Sequence, residues 1–147
     1  MRLVLSLIAI LAAAPASAVE ILHCSLGETH HGWVARTLVL AHEPGKREAV
    51  IADEIGLYFS GKPTTARVTS DTSRSLRFNW SVPKVKDSRG NVVPAMIYRA
   101  TLSRRNGGLK VTAEPLGYSV RFSGSGTCRD VSEDERKAIE KLVQSAG

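Results

Sequence analysis

Cysteine is nearly missing from this chain: only Cys24 and Cys128 occur in 147 residues. A pair with no metal-ligand partners close by reads first as a disulfide, and that bond forms in an oxidising compartment. Long hydrophobic runs are also lacking. The longest, Leu3 to Ala14, is interrupted only by Ser6 and falls short of the ~20 residues a membrane-spanning helix needs. Aromatic residues make up 5% of the chain, too few for a base-stacking surface, so nucleic acid is not expected as a partner. Acidic residues are in deficit, with 14 Asp and Glu against 20 Lys and Arg. Catalytic signatures are missing as well. Ser123-Gly124-Ser125-Gly126-Thr127 is neither a nucleophile elbow nor a phosphate loop. Asp53 and Glu54 are neighbours that an extended chain sends to opposite faces. These features point to a non-catalytic protein, and no cofactor or metal is expected.

The N-terminus shows a secretory pattern. Met1-Arg2 is a positive start, the Leu3–Ala14 run follows, Pro15 breaks it, and Ala16-Ser17-Ala18 supplies small residues for cleavage. Residues 1–18 are therefore read as a signal peptide, and 19–147 as one domain. Ile21-Leu22-His23 before Cys24 lacks the small residues of a lipid-attachment site. The expected location is the periplasm or the exterior of a Gram-negative bacterium, with no transmembrane segment left after cleavage.

The body alternates with period two, as half-buried strands do. Leu76, Phe78, Trp80 and Val82 share one parity, with Ser75, Arg77, Asn79 and Ser81 on the other. Met96, Tyr98, Ala100 and Leu102 form a second apolar row; Leu116, Tyr118, Val120 and Phe122 form a third. Turn signals separate the runs, including Glu43-Pro44-Gly45-Lys46, Asp87 to Asn91, Asn106-Gly107-Gly108 and Glu114-Pro115. This spacing predicts strands at 20–27, 33–41, 47–55, 64–69, 74–82, 95–104, 109–113 and 117–128. The fold class is all-β, a small antiparallel barrel or flattened sandwich of seven to eight strands. Cys24 and Cys128 both fall on apolar parities of the first and last strands, where a bridge would staple the closure. Gly124 and Gly126 share a parity that suits a bulge, sharp coiling, or close approach of another element such as a C-terminal helix. Such a helix is predicted over about 132–145. Ser132 and Glu135 make a capping box, and Ala138, Ile139, Leu142, Val143 and Ala146 form a stripe to pack on the barrel.

The four histidines, His23, His30, His31 and His42, fall early and read as a solvated loop pair and two surface residues rather than as metal ligands. The best functional lead is basic charge, because residues 64–129 hold twelve Lys and Arg against three Asp and Glu. Arg67, Arg77, Arg99 and Arg121 come from several strands. On one outer face their guanidinium forks would bind phosphate or carboxylate groups. The expected partner is an anionic envelope component or an acidic protein. A signal peptide, one terminal-strand disulfide and about eight strands loosely resemble small periplasmic barrels such as lysozyme inhibitors and lipocalin-like carriers. That resemblance implies either a basic protein partner, which this charge would repel, or a small apolar ligand held in the barrel. An active site assembled only in space is the remaining alternative.

Overall fold

In the computed structural model the described residues are 18–29 and 32–145. The signal-peptide reading falls on residues outside this range, apart from Ala18. Eight strands form an antiparallel meander that closes on itself. They are β1 (Glu20–Thr29), β2 (Thr37–His42), β3 (Glu48–Asp53), β4 (Thr64–Asp71), β5 (Ser75–Lys86), β6 (Val92–Ser103), β7 (Gly108–Pro115) and β8 (Phe122–Asp130). A short helix, α1 (Glu54–Ser60), joins β3 to β4, and α2 (Glu133–Ser145) follows β8. The closed barrel removes every unpaired sheet edge.

Alternation places one parity of each strand inside. Leu76, Phe78, Trp80 and Val82 of β5 and Met96, Tyr98, Ala100 and Leu102 of β6 are all buried. The two strands run in register, Trp80 opposite Tyr98. The rings of Trp80 and Tyr98 stack with centroids 4.9 Å apart, and those of Phe78 and Trp80 lie 5.7 Å apart. This column, with Leu40, Ile51 and Leu109 from the facing strands, fills the interior. Eight strands leave room for little more than side chains.

The barrel closes where β8 returns to β1. Cys24 lies directly opposite Cys128, and the two are disulfide-bonded with Cα atoms 3.9 Å apart. The glycines of β8 permit a close approach, but by β1 rather than by the C-terminal helix. A Cβ on Gly126 would lie 1.9 Å from the Ser25 carbonyl oxygen, and β1 also carries a register shift between Leu26 and Glu28.

Antiparallel topology gives the barrel two distinct poles. At one, β1 begins and β8 ends, and the turns β2–β3, β4–β5 and β6–β7 gather there. At this terminal pole Arg104 donates to both Glu20 carboxylate oxygens at 3.1 and 3.2 Å and to Asp71 Oδ1 at 3.0 Å. Asp71 Oδ2 accepts the Gly45 N–H at 3.2 Å and lies 3.8 Å from His42 Nε2, which bonds the Lys46 carbonyl. Against the partial burial that would raise it, the Gly45 N–H and Arg104 hold the Asp71 carboxyl below its ordinary range. His42, expected at the surface, is in fact buried. Its β2 parity turns it inward at the strand end, where this network covers it. The opposite pole, the mouth, gathers α1, the β5–β6 turn, the β7–β8 loop and the segment around Trp33.

The capping box forms as expected: the Ser132 N–H donates to Glu135 Oε2 at 2.8 Å, and the Glu135 N–H donates to Ser132 Oγ at 3.3 Å. The first turn of α2 is pinned to the barrel by Arg136, which donates to the Val19 carbonyl at 2.9 Å. Of the apolar stripe expected to pack on the barrel, Ala138 is exposed and Ile139 half-buried, while the side chains of Leu142 and Val143 and all of Ala146 lie outside what the structure describes.

Candidate functional site

The mouth differs from the rest of the surface because its connections expose apolar side chains. Among the described residues the large exposed hydrophobics are Leu57 and Tyr58 on α1, Val92 in the β5–β6 hairpin, Leu116, Tyr118 and Val120 in the β7–β8 loop, and Val19, which lies at the other pole. The expected strand 117–128 is corrected here, because β8 starts only at Phe122. Pro115 ends β7, Gly117 takes φ +89°, and the Tyr118 N–H bonds the Pro115 carbonyl. The chain therefore turns out of the sheet, and the alternating residues 116–120 become an apolar loop.

Between that loop, the β5–β6 hairpin and Trp33 lies an open concavity of about 450 Å³. Trp33, Val93, Met96, Pro115, Tyr118 and Phe122 supply its apolar lining, with Asp87 and Asn91 as polar members. Met96 and Pro115 pair across β6 and β7 and form the floor. The Trp33 and Phe122 rings lie 6.4 Å apart, and the Trp33 carbonyl accepts from the Tyr98 hydroxyl at 3.1 Å. A concavity of this size and character is within the range that holds small ligands. Asp87 is occupied in closing the hairpin, accepting from Arg89 N, Asn91 N and Asn91 Nδ2 at 2.8–2.9 Å.

The other side of the mouth is held by Asp53. Residues 47–55 are expected as one strand, but β3 ends at Asp53 and α1 begins at Glu54. Asp53 Oδ1 caps the helix, accepting the Ile55 and Gly56 N–H groups at 2.9 Å. Its Oδ2 is buried and faces the Trp80 indole N–H without closing a full hydrogen bond. Burial pushes the Asp53 carboxyl above its ordinary range, opposed by the helix N–H donors and aided by the Glu54 charge. A group whose folded-state pKa is raised favours folding most below its unfolded value, and that contribution is lost as pH rises through the folded value. Asp53→Asn should therefore keep the cap and weaken the decline of stability with rising pH. Asp53→Ala should cost about 0.5–2 kcal/mol through loss of the cap. Urea unfolding of both variants in acid and at neutral pH checks this, and equal losses in the two would count against it.

The arginines expected to bind anions lie on the outside of β4, β5 and β6 and, for Arg121, at the end of the β7–β8 loop. The register aligns Glu48, Arg67, Asn79, Arg99 and Thr112 across β3 to β7. Arg67 and Arg99 thus stand two strands apart, roughly 10 Å, with Arg77 on the same face of the strand between them. Arg99 Nη1 and Arg121 Nε donate to Glu114 at 2.9 and 2.6 Å. Those bonds, first from Arg99 and then from Arg121, lower the Glu114 pKa. The structure therefore brings Arg67, Arg77 and Arg99 onto one surface and gives Arg99 and Arg121 an internal carboxylate. These pairs are solvent-exposed and add little stability. Of the histidines, His23 is half-buried on β1, and His30 and His31 lie outside the described residues. Among the described residues no group of three or more His, Cys, Asp or Glu is placed to hold a metal. No described helix is long and apolar enough to cross a membrane.

The chain matches no family model, no curated protein and no solved structure.

Proposed function

We propose that this is an exported, non-catalytic binding module whose working surface is the mouth of the barrel, where an apolar group of its partner is received. The observation that carries this reading is that, among the described residues, six of the seven large exposed hydrophobics gather at one pole, and three of them, Val92, Tyr118 and Val120, line a concavity of about 450 Å³. Scattered single hydrophobics are ordinary on a protein surface, whereas a clustered set marks an interaction site. The Phe78–Trp80–Tyr98 column occupies the axis, so an apolar ligand sits at the mouth rather than along the barrel as in a lipocalin-like carrier. The disulfide and the leader-like N-terminus support export to an oxidising compartment.

An apolar fluorescent probe such as N-phenyl-1-naphthylamine tests this. Its emission should rise saturably with added protein. Trp33→Ala and Tyr118→Ser each remove part of the lining, and burying one such side chain is worth about 1.5–3 kcal/mol. Each substitution should weaken the probe roughly tenfold or more. Unsaturable binding, or binding indifferent to both substitutions, would refute the reading.

A second reading rests on the juxtaposition of Arg67, Arg77 and Arg99 on adjacent strands. That face supports docking of an anionic envelope component or an acidic protein. Association through it should weaken steeply as salt screens the charges, and retention indifferent to salt would exclude it.

A further inference from the structure

We propose that the occupant of the mouth is an anionic lipid surface, onto which the barrel docks with its α1, β5–β6 and β7–β8 connections inserted at the headgroup level. This inference rests on the mouth being the working surface. Each of the three connections carries an exposed apolar group: Tyr58 on α1 is 82% exposed, Tyr118 in the β7–β8 loop 62%, and Val92, at the base of the polar β5–β6 turn, 55%. The meander brings these separate segments to the same pole, where three connections each present apolar side chains to the solvent. Tyrosine suits the lipid–water boundary, since its ring is apolar and its hydroxyl stays wet.

Charge complements this placement. Lys62 follows α1, Lys84 and Lys86 end β5, and Arg89 lies in the β5–β6 turn; all four are exposed. Among the described residues Lys62, Lys84 and Lys86 form no ion pair. Of the carboxylates described at this pole, only Glu114 is paired with cations, while Glu54 and Asp87 accept from neutral donors. Glu54 accepts the Thr37 hydroxyl at 2.9 Å, Asp87 holds its own turn, and Glu114 is bound by Arg99 and Arg121. Lys84 takes φ +54°, a conformation few non-glycine residues adopt. There the alternation reverses, so Val82 and Val85 are both buried while Pro83 and Lys84 both face solvent. The lysine is thereby kept outward at the rim. Each basic side chain near an anionic leaflet adds attraction that falls off over a Debye length.

Cosedimentation of the purified protein with vesicles provides the test, comparing phosphatidylglycerol–phosphatidylcholine mixtures with phosphatidylcholine alone. Binding is expected on the anionic vesicles, weaker by roughly tenfold or more without phosphatidylglycerol. The triple variant Tyr58→Ser, Tyr118→Ser, Val120→Ser should lose it, and Lys62→Glu with Lys86→Glu should reduce it. Far-UV circular dichroism verifies that these surface variants keep the barrel. Failure to bind vesicles while N-phenyl-1-naphthylamine still binds overturns this inference and leaves the mouth as a small-ligand site. Failure of both overturns the reading beneath it as well. Vesicle binding that survives the triple variant also overturns the inference.

Discussion

Replacing both Cys24 and Cys128 with alanine should lower the thermal unfolding midpoint by roughly 10–20 °C. The bond spans 104 positions, so in the chain-entropy account it removes from the unfolded ensemble a freedom worth about 4–5 kcal/mol at 25 °C. Set against a total stability of about 5–15 kcal/mol, that is the largest single covalent contribution available to this chain. The effect does not depend on the cysteines packing well. Cys24 is fully buried beside the core, and alanine keeps an apolar group there without leaving a buried hydroxyl unpaired. The barrel itself should survive, because β1 and β8 are also joined by backbone pairing along most of their length. Calorimetry of parent and double variant, with the parent repeated under reductant, separates the bond from the side chains. Reduced parent and double variant should unfold together. A double variant that melts with the oxidised parent would show that the closure is set by the sheet alone.

The second large effect falls at Gly126. A methyl group there would sit 1.9 Å from the Ser25 carbonyl oxygen and 2.6 Å from Leu26 Cα. Both are backbone atoms, so no rotamer change relieves the overlap, and β1 must move away from β8. That movement disturbs pairing on both sides of β8, since Gly126 lies opposite Leu26 on β1 and Leu109 on β7. Gly126→Ala is expected to cost about 3–5 kcal/mol, at the severe end for a single substitution. Two neighbours give the comparison its meaning. At Gly124 the new methyl meets only the side-chain ends of Val34, Leu26 and Thr29 at 2.9–3.2 Å, so Gly124→Ala should cost about 1–2 kcal/mol. Around Gly27 nothing lies within 4 Å, and Gly27→Ala should stay within about 0.5 kcal/mol of the parent. Urea unfolding of the three variants gives the ranking. A Gly126→Ala protein as stable as Gly27→Ala would mean that the two strands are not held in this close approach.

The barrel was legible in the sequence wherever an inward parity is uninterrupted. Leu76 to Val82 and Met96 to Leu102 announce their strands because the inward face is uninterrupted over seven residues. The Cys24–Cys128 pairing followed from the same alternation once the first and last strands were taken as neighbours. The mouth was harder to read. Leu116, Tyr118, Val120 and Phe122 keep the parity of a strand, and only Pro115 and Gly117, which stop pairing, show that the chain has left the sheet. Helix α1 escaped notice because seven residues containing a glycine give little periodicity. Its true signals were the Asp53 cap and Gly61, whose φ of +70° ends the helix. Contacts between distant turns left no trace at all. Arg104 reaches Glu20 and Asp71 only because the strand registers bring the β6–β7 turn, the start of β1 and the end of β4 to one pole, and Glu114 meets Arg99 through the β6–β7 register. Registers depend on loop lengths and turn geometry across the whole sheet, which no local pattern encodes.

The way the strands alternate in direction also fixes how this molecule can be handled. Val19 precedes the first strand and Val131 follows the last, and the Val131 N–H bonds the Ile21 carbonyl, so the chain enters and leaves the sheet side by side. That point is diametrically opposite Tyr58 and Tyr118. An affinity tag or a surface linker placed before Val19 therefore leaves the tyrosine-bearing tips unobstructed, and the protein can be immobilised in a single known orientation.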